Sequence, residues 1–106
     1  MSGFGKLMKQ AQKMQGDMMR VQEELKSKTA EGMSAGGAIK VVVSCDKKMQ
    51  SIQIDKSLVT DSDIEMLQDL VVTAVNQALE NADQVSAREM SRLTNGVNIP
   101  GLNLGL

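Results

Sequence analysis

Residues Phe4 to Lys28 read FGKLMKQAQKMQGDMMRVQEELKSK, and the arrangement of the remaining chain follows from how this stretch folds. Its apolar positions Phe4, Leu7, Ala11, Met14, Met18, Val21 and Leu25 alternate three- and four-residue spacings, the a/d period of a coiled-coil seam. Only a helix lines them up. At about 100° per residue, Lys6, Lys9, Lys13 and Arg20 fall within about 60° of one another and about 140° from the seam centre. The predicted helix is therefore two-faced, apolar towards a helix or sheet and cationic on the other side. On pattern alone the cationic row reads either as a solvated face or as a surface for an anionic partner. Gly16 opposes the helix by about 1 kcal/mol relative to alanine, which the sustained apolar period outweighs.

Beyond this helix, Gly32, Gly36 and Gly37 interrupt any helical pattern, and Gly36-Gly37 reads as a turn or bulge feeding a strand. Thr29 to Met33 is expected as a short edge strand. From Ala38 to Cys45 the pattern is β, with Ile39, Val41, Val43 and Cys45 on one face and Lys40 and Ser44 on the other. Asp46-Lys47-Lys48 supplies a polar turn, and Met49 to Ile54 returns as a second strand with Ile52 and Ile54 pointing inward. The resulting antiparallel hairpin needs a cover on its apolar face.

That cover is predicted from about Asp63 to Thr94. Ser62-Asp63-Ile64-Glu65 fits a capping box, and Asp61, Asp63, Glu65 and Asp69 place negative charge near the positive end of the helix dipole. The same acidic run resembles a calcium loop only superficially, because the glycine of the sharp turn is missing. Ile64, Leu67, Val71, Ala74, Ala78, Ala82 and Val85 form an apolar stripe. At 1.5 Å per residue the helix reaches about 48 Å, more than a domain of this size can cover, so its far end should project. Arg88 and Arg92 sit at that end, four apart on one face, where the dipole also favours cations. Asn95-Gly96 terminates the helix, and Val97 to Leu106, with the sole proline at Pro100, reads as an extended tail. The expected organisation is one domain over residues 1–96 followed by that tail.

Composition bounds what such a chain can do. With 106 residues, 42% hydrophobic and 24% charged, it reads as a single soluble globular domain. Its only aromatic is Phe4, against nine Met, so the largest contributors to apolar burial are missing and a homodimer would gather the area a monomer lacks. Met also suits a surface that must adapt to a partner, as well as filling gaps in a core. The net charge of −1 hides an asymmetry: residues 1–28 hold six Lys/Arg against three Asp/Glu, residues 29–60 four against three, and residues 61–106 two against seven. Any anionic partner must be met by a local patch rather than by overall charge. No signal segment opens the chain and no apolar run approaches a membrane span, so a cytoplasmic setting without membrane attachment is expected.

The chemistry is equally bounded. There is no histidine, which removes His-based acid–base catalysis, His-containing nucleophile pairs and His-ligated metals. A single cysteine, Cys45, inside a β-branched run forms neither an internal disulfide nor a thiolate zinc site. No P-loop or dinucleotide-binding glycine pattern occurs between strand and helix. The chain is not expected to be an enzyme, and no cofactor, metal or small-molecule substrate is expected.

The order and spacing of several segments carry a resemblance: MKQAQKMQ (Met8 to Gln15), then Gln22-Glu23-Glu24-Leu25, then Glu31-Gly32 and Ala35-Gly36-Gly37 before a Val-rich strand. Ile54-Asp55, Glu65 to Leu70, Ala74 to Ala78 and Asn98-Ile99-Pro100-Gly101 continue it, so that it spans nearly the whole chain. Together these resemble the YbaB/EbfC family of bacterial nucleoid-associated proteins. The resemblance implies an α+β subunit of α-β-β-β-α order, paired in a tweezer-like homodimer whose long helices bind double-stranded DNA in the nucleoid and affect its organisation and gene expression. By position, it implies DNA contacts from Lys6, Lys9, Lys13 and Arg20 on the first helix and from Arg88 and Arg92 on the last. No recognition helix of a base-reading class and no stacking aromatic is found, so the expected mode is phosphate contact with low or shape-based sequence preference. The alternative from the residues is a protein–protein adaptor using the Met-rich seam.

Overall fold

A computed structural model of the chain describes residues 2–59 and 63–95. Its elements run α1 (Ser2–Ser27), β1 (Thr29–Ser34), β2 (Ile39–Ser44), β3 (Met49–Ile54) and α2 (Ile64–Asn95), with 3-10 turns at Ala35–Gly37 and Lys56–Leu58. The expected α-β-β-β-α order is observed, and β1 extends one residue past the expected edge strand. Three expected features lie outside the described residues: the Ser62 half of the capping box, the Gly96 helix stop and the 97–106 tail.

The strands form an antiparallel meander in the order β1-β2-β3, so β2 is central. Its alternation works as the pattern requires, because Ile39, Val41 and Val43 are fully buried on one face while Lys40 and Val42 are half-buried on the other. The β1–β2 connection needs left-handed backbone at Ala35, Gly36 and Gly37, with φ of 54°, 64° and 94°. Glycine accepts this without the steric cost of a Cβ, which is why the pair marks the turn. At the next turn Lys47 is also left-handed, with Lys48 N–H donating to the Ser44 hydroxyl at 3.0 Å and Lys47 Nζ reaching Asp83 on α2 at 2.8 Å.

Helix α2 rides on β1 and β2 through a stripe of small residues, Ala74, Ala78 and Ala82, all fully buried. The approach is so close at Gly32 that a Cβ there would overlap the backbone of Ala74 and Ala78. A glycine on the strand and alanines on the helix thus replace side-chain interdigitation with near backbone contact. On the same flank, side chains of α2 close the outer edge of β1. Gln77 Oε1 accepts from Met33 N–H at 2.6 Å, Asn81 Nδ2 donates to the Glu31 carbonyl at 2.7 Å, and Ser34 Oγ donates to the Leu70 carbonyl at 2.6 Å.

The opposite side of the sheet is open. Ile52 and Ile54 pair with Val41 and Ile39 and so share the core face, as the alternation predicts, yet they are 45% and 38% exposed. The expectation that they point inward holds for direction and fails for burial, since α2 lies over β1 and β2 and leaves β3 uncovered. Met49, opposite Val43 across a bulge, is exposed beside them.

The seam of α1 is likewise used only in part. Val21 and Leu25 belong to the core, whereas Phe4, Leu7, Ala11 and Met18 are exposed and Met14 is half-buried. Helix α1, about 39 Å long at 1.5 Å per residue, is therefore rooted by its last two turns and extends as an arm from an elongated molecule of 73 × 26 × 17 Å. The root is held by charge as well as by packing. Lys28 Nζ donates to Glu89 Oε1 at 2.8 Å and Arg92 Nη1 lies 3.5 Å from the same oxygen, joining the end of α1 to the last turns of α2. Glu89 is nearly buried, and the Lys28 hydrogen bond, helped by the Arg92 and Arg88 charges, holds its carboxyl below the ordinary value of 4.5 despite the opposing effect of burial.

Two glycines separate the roles of fit and freedom. Gly32→Ala should destabilise the fold by about 3 kcal/mol or more through overpacking, measured by urea unfolding. Gly16 has open space around it, so Gly16→Ala should strengthen the arm helix by about 1 kcal/mol, seen as increased amide-exchange protection with an unchanged core midpoint. Because the Glu89 carboxyl is lowered on folding, its contribution is present above the ordinary glutamate value and disappears as pH falls through the depressed one. Glu89→Gln should accordingly lower the melting temperature at neutral pH and flatten its fall as pH drops below the ordinary glutamate value, measured by thermal scans at stepped pH.

Candidate nucleic-acid interface

The cationic row predicted on α1 lies on the part of the helix that stands clear of the sheet. Lys6, Lys9, Lys13 and Arg20 are all exposed and share one side of the arm, away from the Val21–Leu25 root that meets the core. Among the described residues, Lys6, Lys9 and Lys13 take part in no ion pair, so their ammonium groups are available to an outside anion. Gly3, Gly5, Lys6 and Lys9 line an open depression on the arm. Arg20 differs in being partly neutralised by Asp17 at 3.1 Å.

Arg88 and Arg92 occupy a different place. Helix α2 outruns the sheet, so the stripe that buries Ala74, Ala78 and Ala82 continues into Glu89 and Arg92 facing the root of α1. Arg92 and Lys28 share Glu89, and Arg88 is exposed beside them. Three cations around one carboxylate leave the root locally positive. The structure therefore divides the six predicted residues into an arm group of Lys6, Lys9, Lys13 and Arg20 and a root group of Arg88 and Arg92. Lys28 joins the root group and was missed in the sequence because it lies just past the helical period that identified the stripe. Its partner, 61 positions away, gives no local signal.

Besides Asp17, the acidic residues of α1 are Glu23 and Glu24 near its root; Glu23 pairs with Lys26 at 3.1 Å, and Glu31 on β1 pairs with Lys40 at 3.2 Å. Cys45 is buried, and burial pushes its thiol above the ordinary 9.0, which keeps it protonated and unreactive. Among the described residues, no group of three His, Cys, Asp or Glu side chains is placed to hold a metal ion, and no helix is long and apolar enough to cross a membrane.

Comparison with known proteins places this geometry in a lineage. A nucleoid-associated protein of Caldanaerobacter subterraneus is 50% identical over 96 residues, covering 91% of this chain and 86% of that one. One of Acetivibrio thermocellus is 51% identical over 105 residues, covering 94% and 93%. A crystal structure of an uncharacterized Helicobacter pylori protein shares the fold with a TM-score of 0.74 at 21% identity, over 86% of this chain and 96% of that one. Residues 1–97 match the family itself, and on these grounds the chain belongs to the YbaB/EbfC DNA-binding family.

Proposed function

We propose that this protein binds double-stranded DNA as a homodimer, through phosphate contacts from its projecting arms, and acts in the organisation of the bacterial nucleoid and in gene expression. The observation that carries this reading is the unpaired row Lys6, Lys9 and Lys13 on a helix held clear of the body. Arg20, Arg88 and Arg92 extend the row towards the root. The names of the relatives support the partner class, and a cationic row with a single aromatic, Phe4, in the whole chain supports contact mainly with the backbone rather than with stacked bases. Sequence preference is low or read through duplex shape.

The homodimer is supported by what the single chain leaves open. Among the described residues the largest fully buried side chains are Ile39, Val41 and Val43, a small core. Meanwhile the core face of β3, with Met49, Ile52 and Ile54, offers an exposed apolar surface. A second subunit covering that face would complete the sheet's packing and bring two arms to one duplex. The second reading, a protein–protein adaptor, is favoured by one feature: the exposed apolar side of the arm at Phe4, Leu7 and Met8.

The two readings part on charge. Lys6→Glu with Lys13→Glu should weaken binding to a random duplex of about 30 base pairs by more than tenfold, followed by fluorescence anisotropy, whereas an adaptor seam would tolerate both changes. With about four to eight phosphates neutralised, the log–log salt dependence should have a slope between about −3.6 and −7. Salt-independent binding, or no binding at low salt, would remove the phosphate reading. For the dimer, Ile52→Asp should convert a mass of two chains into one in light scattering.

A further inference from the structure

The apolar seam of α1 is covered at one end only. Val21 and Leu25 are packed into the core, whereas Phe4 and Leu7 are 71% and 64% exposed and Ala11 and Met18 stand open between them and the root. A duplex held by Lys6, Lys9 and Lys13 does not cover this strip, because at about 100° per residue the seam faces away from those cations. Contiguous apolar surface of this kind marks a contact site.

We infer that the occupant is the chain's own segment 97–106, laid along the bare seam from Met18 towards Phe4. The inference goes beyond the DNA-binding reading and does not rest on it. Three observations lead to it. The first is where α2 ends. Lys28 Nζ donates to Glu89 Oε1 at 2.8 Å, and past Glu89 both Met90 and Leu93 stay half-buried against the core cluster that includes Val21 and Leu25. Helix α2 therefore runs back beside α1 in the antiparallel direction, and its end at Asn95 lies about 9 Å beyond Glu89 at 1.5 Å per residue. That brings the start of the segment beside the seam, within about two turns of Met18.

The second is composition. Residues 93–106 hold no charged side chain, in a chain of which 24% is charged, and they include Val97, Ile99, Leu102, Leu104 and Leu106. A solvated linker has the opposite make-up, charged and poor in branched apolar residues. On either side of Pro100-Gly101 the apolar residues alternate, as Val97-Asn98-Ile99 and as Leu102-Asn103-Leu104-Gly105-Leu106, so an extended backbone directs each run to one side. The third is reach and charge. From Met18 to Phe4 the helix rises about 21 Å, which about seven extended residues span at about 3.3 Å each. Neither surface carries an ion, so contact between them desolvates no charge, and Lys6, Lys9 and Lys13 stay exposed on the far side.

The test is tryptophan fluorescence of the full chain, which has no Trp or Tyr of its own. Phe4→Trp places the single reporter on the seam, and Gln12→Trp places it on the far side of the arm. In the full chain Phe4→Trp should emit at shorter wavelength than Gln12→Trp and be quenched less by acrylamide. Ending the chain after Gly96 should bring Phe4→Trp to the emission and quenching of Gln12→Trp while leaving Gln12→Trp unchanged. Leu102→Asn with Leu104→Asn should do the same at unchanged length. Phe4→Trp emission that neither change moves would overturn the inference. The Phe4→Trp chain ended after Gly96 is then left to exchange with a tenfold excess of full chains lacking tryptophan. Emission that stays at the longer wavelength supports docking within one chain, and restored short-wavelength emission would overturn it.

Discussion

The near contact of α2 with β1 at Gly32 is the constraint from which the remaining geometry follows. Backbone can approach backbone there only because the strand contributes no Cβ and the helix contributes Ala74 and Ala78. Once α2 is seated over β1 and β2, it cannot also cover β3, and the apolar face of Met49, Ile52 and Ile54 is left bare. The same seating carries the helix axis past the sheet, so that Glu89 and Arg92 emerge where α1 ends and Glu89 can hold Lys28. One tight contact therefore determines which apolar face is left exposed and how the arm is anchored.

Charge is organised on the same plan. The chain is nearly neutral overall, and most of its acidic residues lie on α2 and the connections around the sheet; on the outer arm Asp17 pairs with Arg20, while Lys6, Lys9 and Lys13 have no ion-pair partner among the described residues. Screening limits the reach of each charge to about 10 Å at 0.1 M salt, less than the length of the arm, so a partner lying along it responds to the local row rather than to the sum. A slightly acidic protein can for this reason present a cationic surface.

Much of this was legible in the sequence. The three–four spacing from Phe4 to Leu25 fixed the first helix, the Ile39-Val41-Val43 alternation fixed the central strand, and Gly36-Gly37 fixed the turn between β1 and β2. What periodicity conveys, however, is direction and not cover. Ile52 and Ile54 point to the core side as their spacing requires, but whether a helix lies above them depends on where α2 is seated, which Gly32 and the alanines determine across more than forty intervening residues. The candidate site divides in the same way. The arm cations were visible as a helical stripe, whereas the Lys28–Glu89 link joins residues whose neighbourhood exists only after folding.

The side chains that α2 lays along the outer edge of β1 bear on how this protein avoids harm. Gln77 and Asn81 occupy the Met33 N–H and the Glu31 carbonyl, groups that an exposed edge strand would otherwise offer to any extended chain. Strand addition at that end is hindered. A unit extends a fibre only when both edges of its sheet accept a strand, so two amides on a helix guard this sheet against runaway polymerisation.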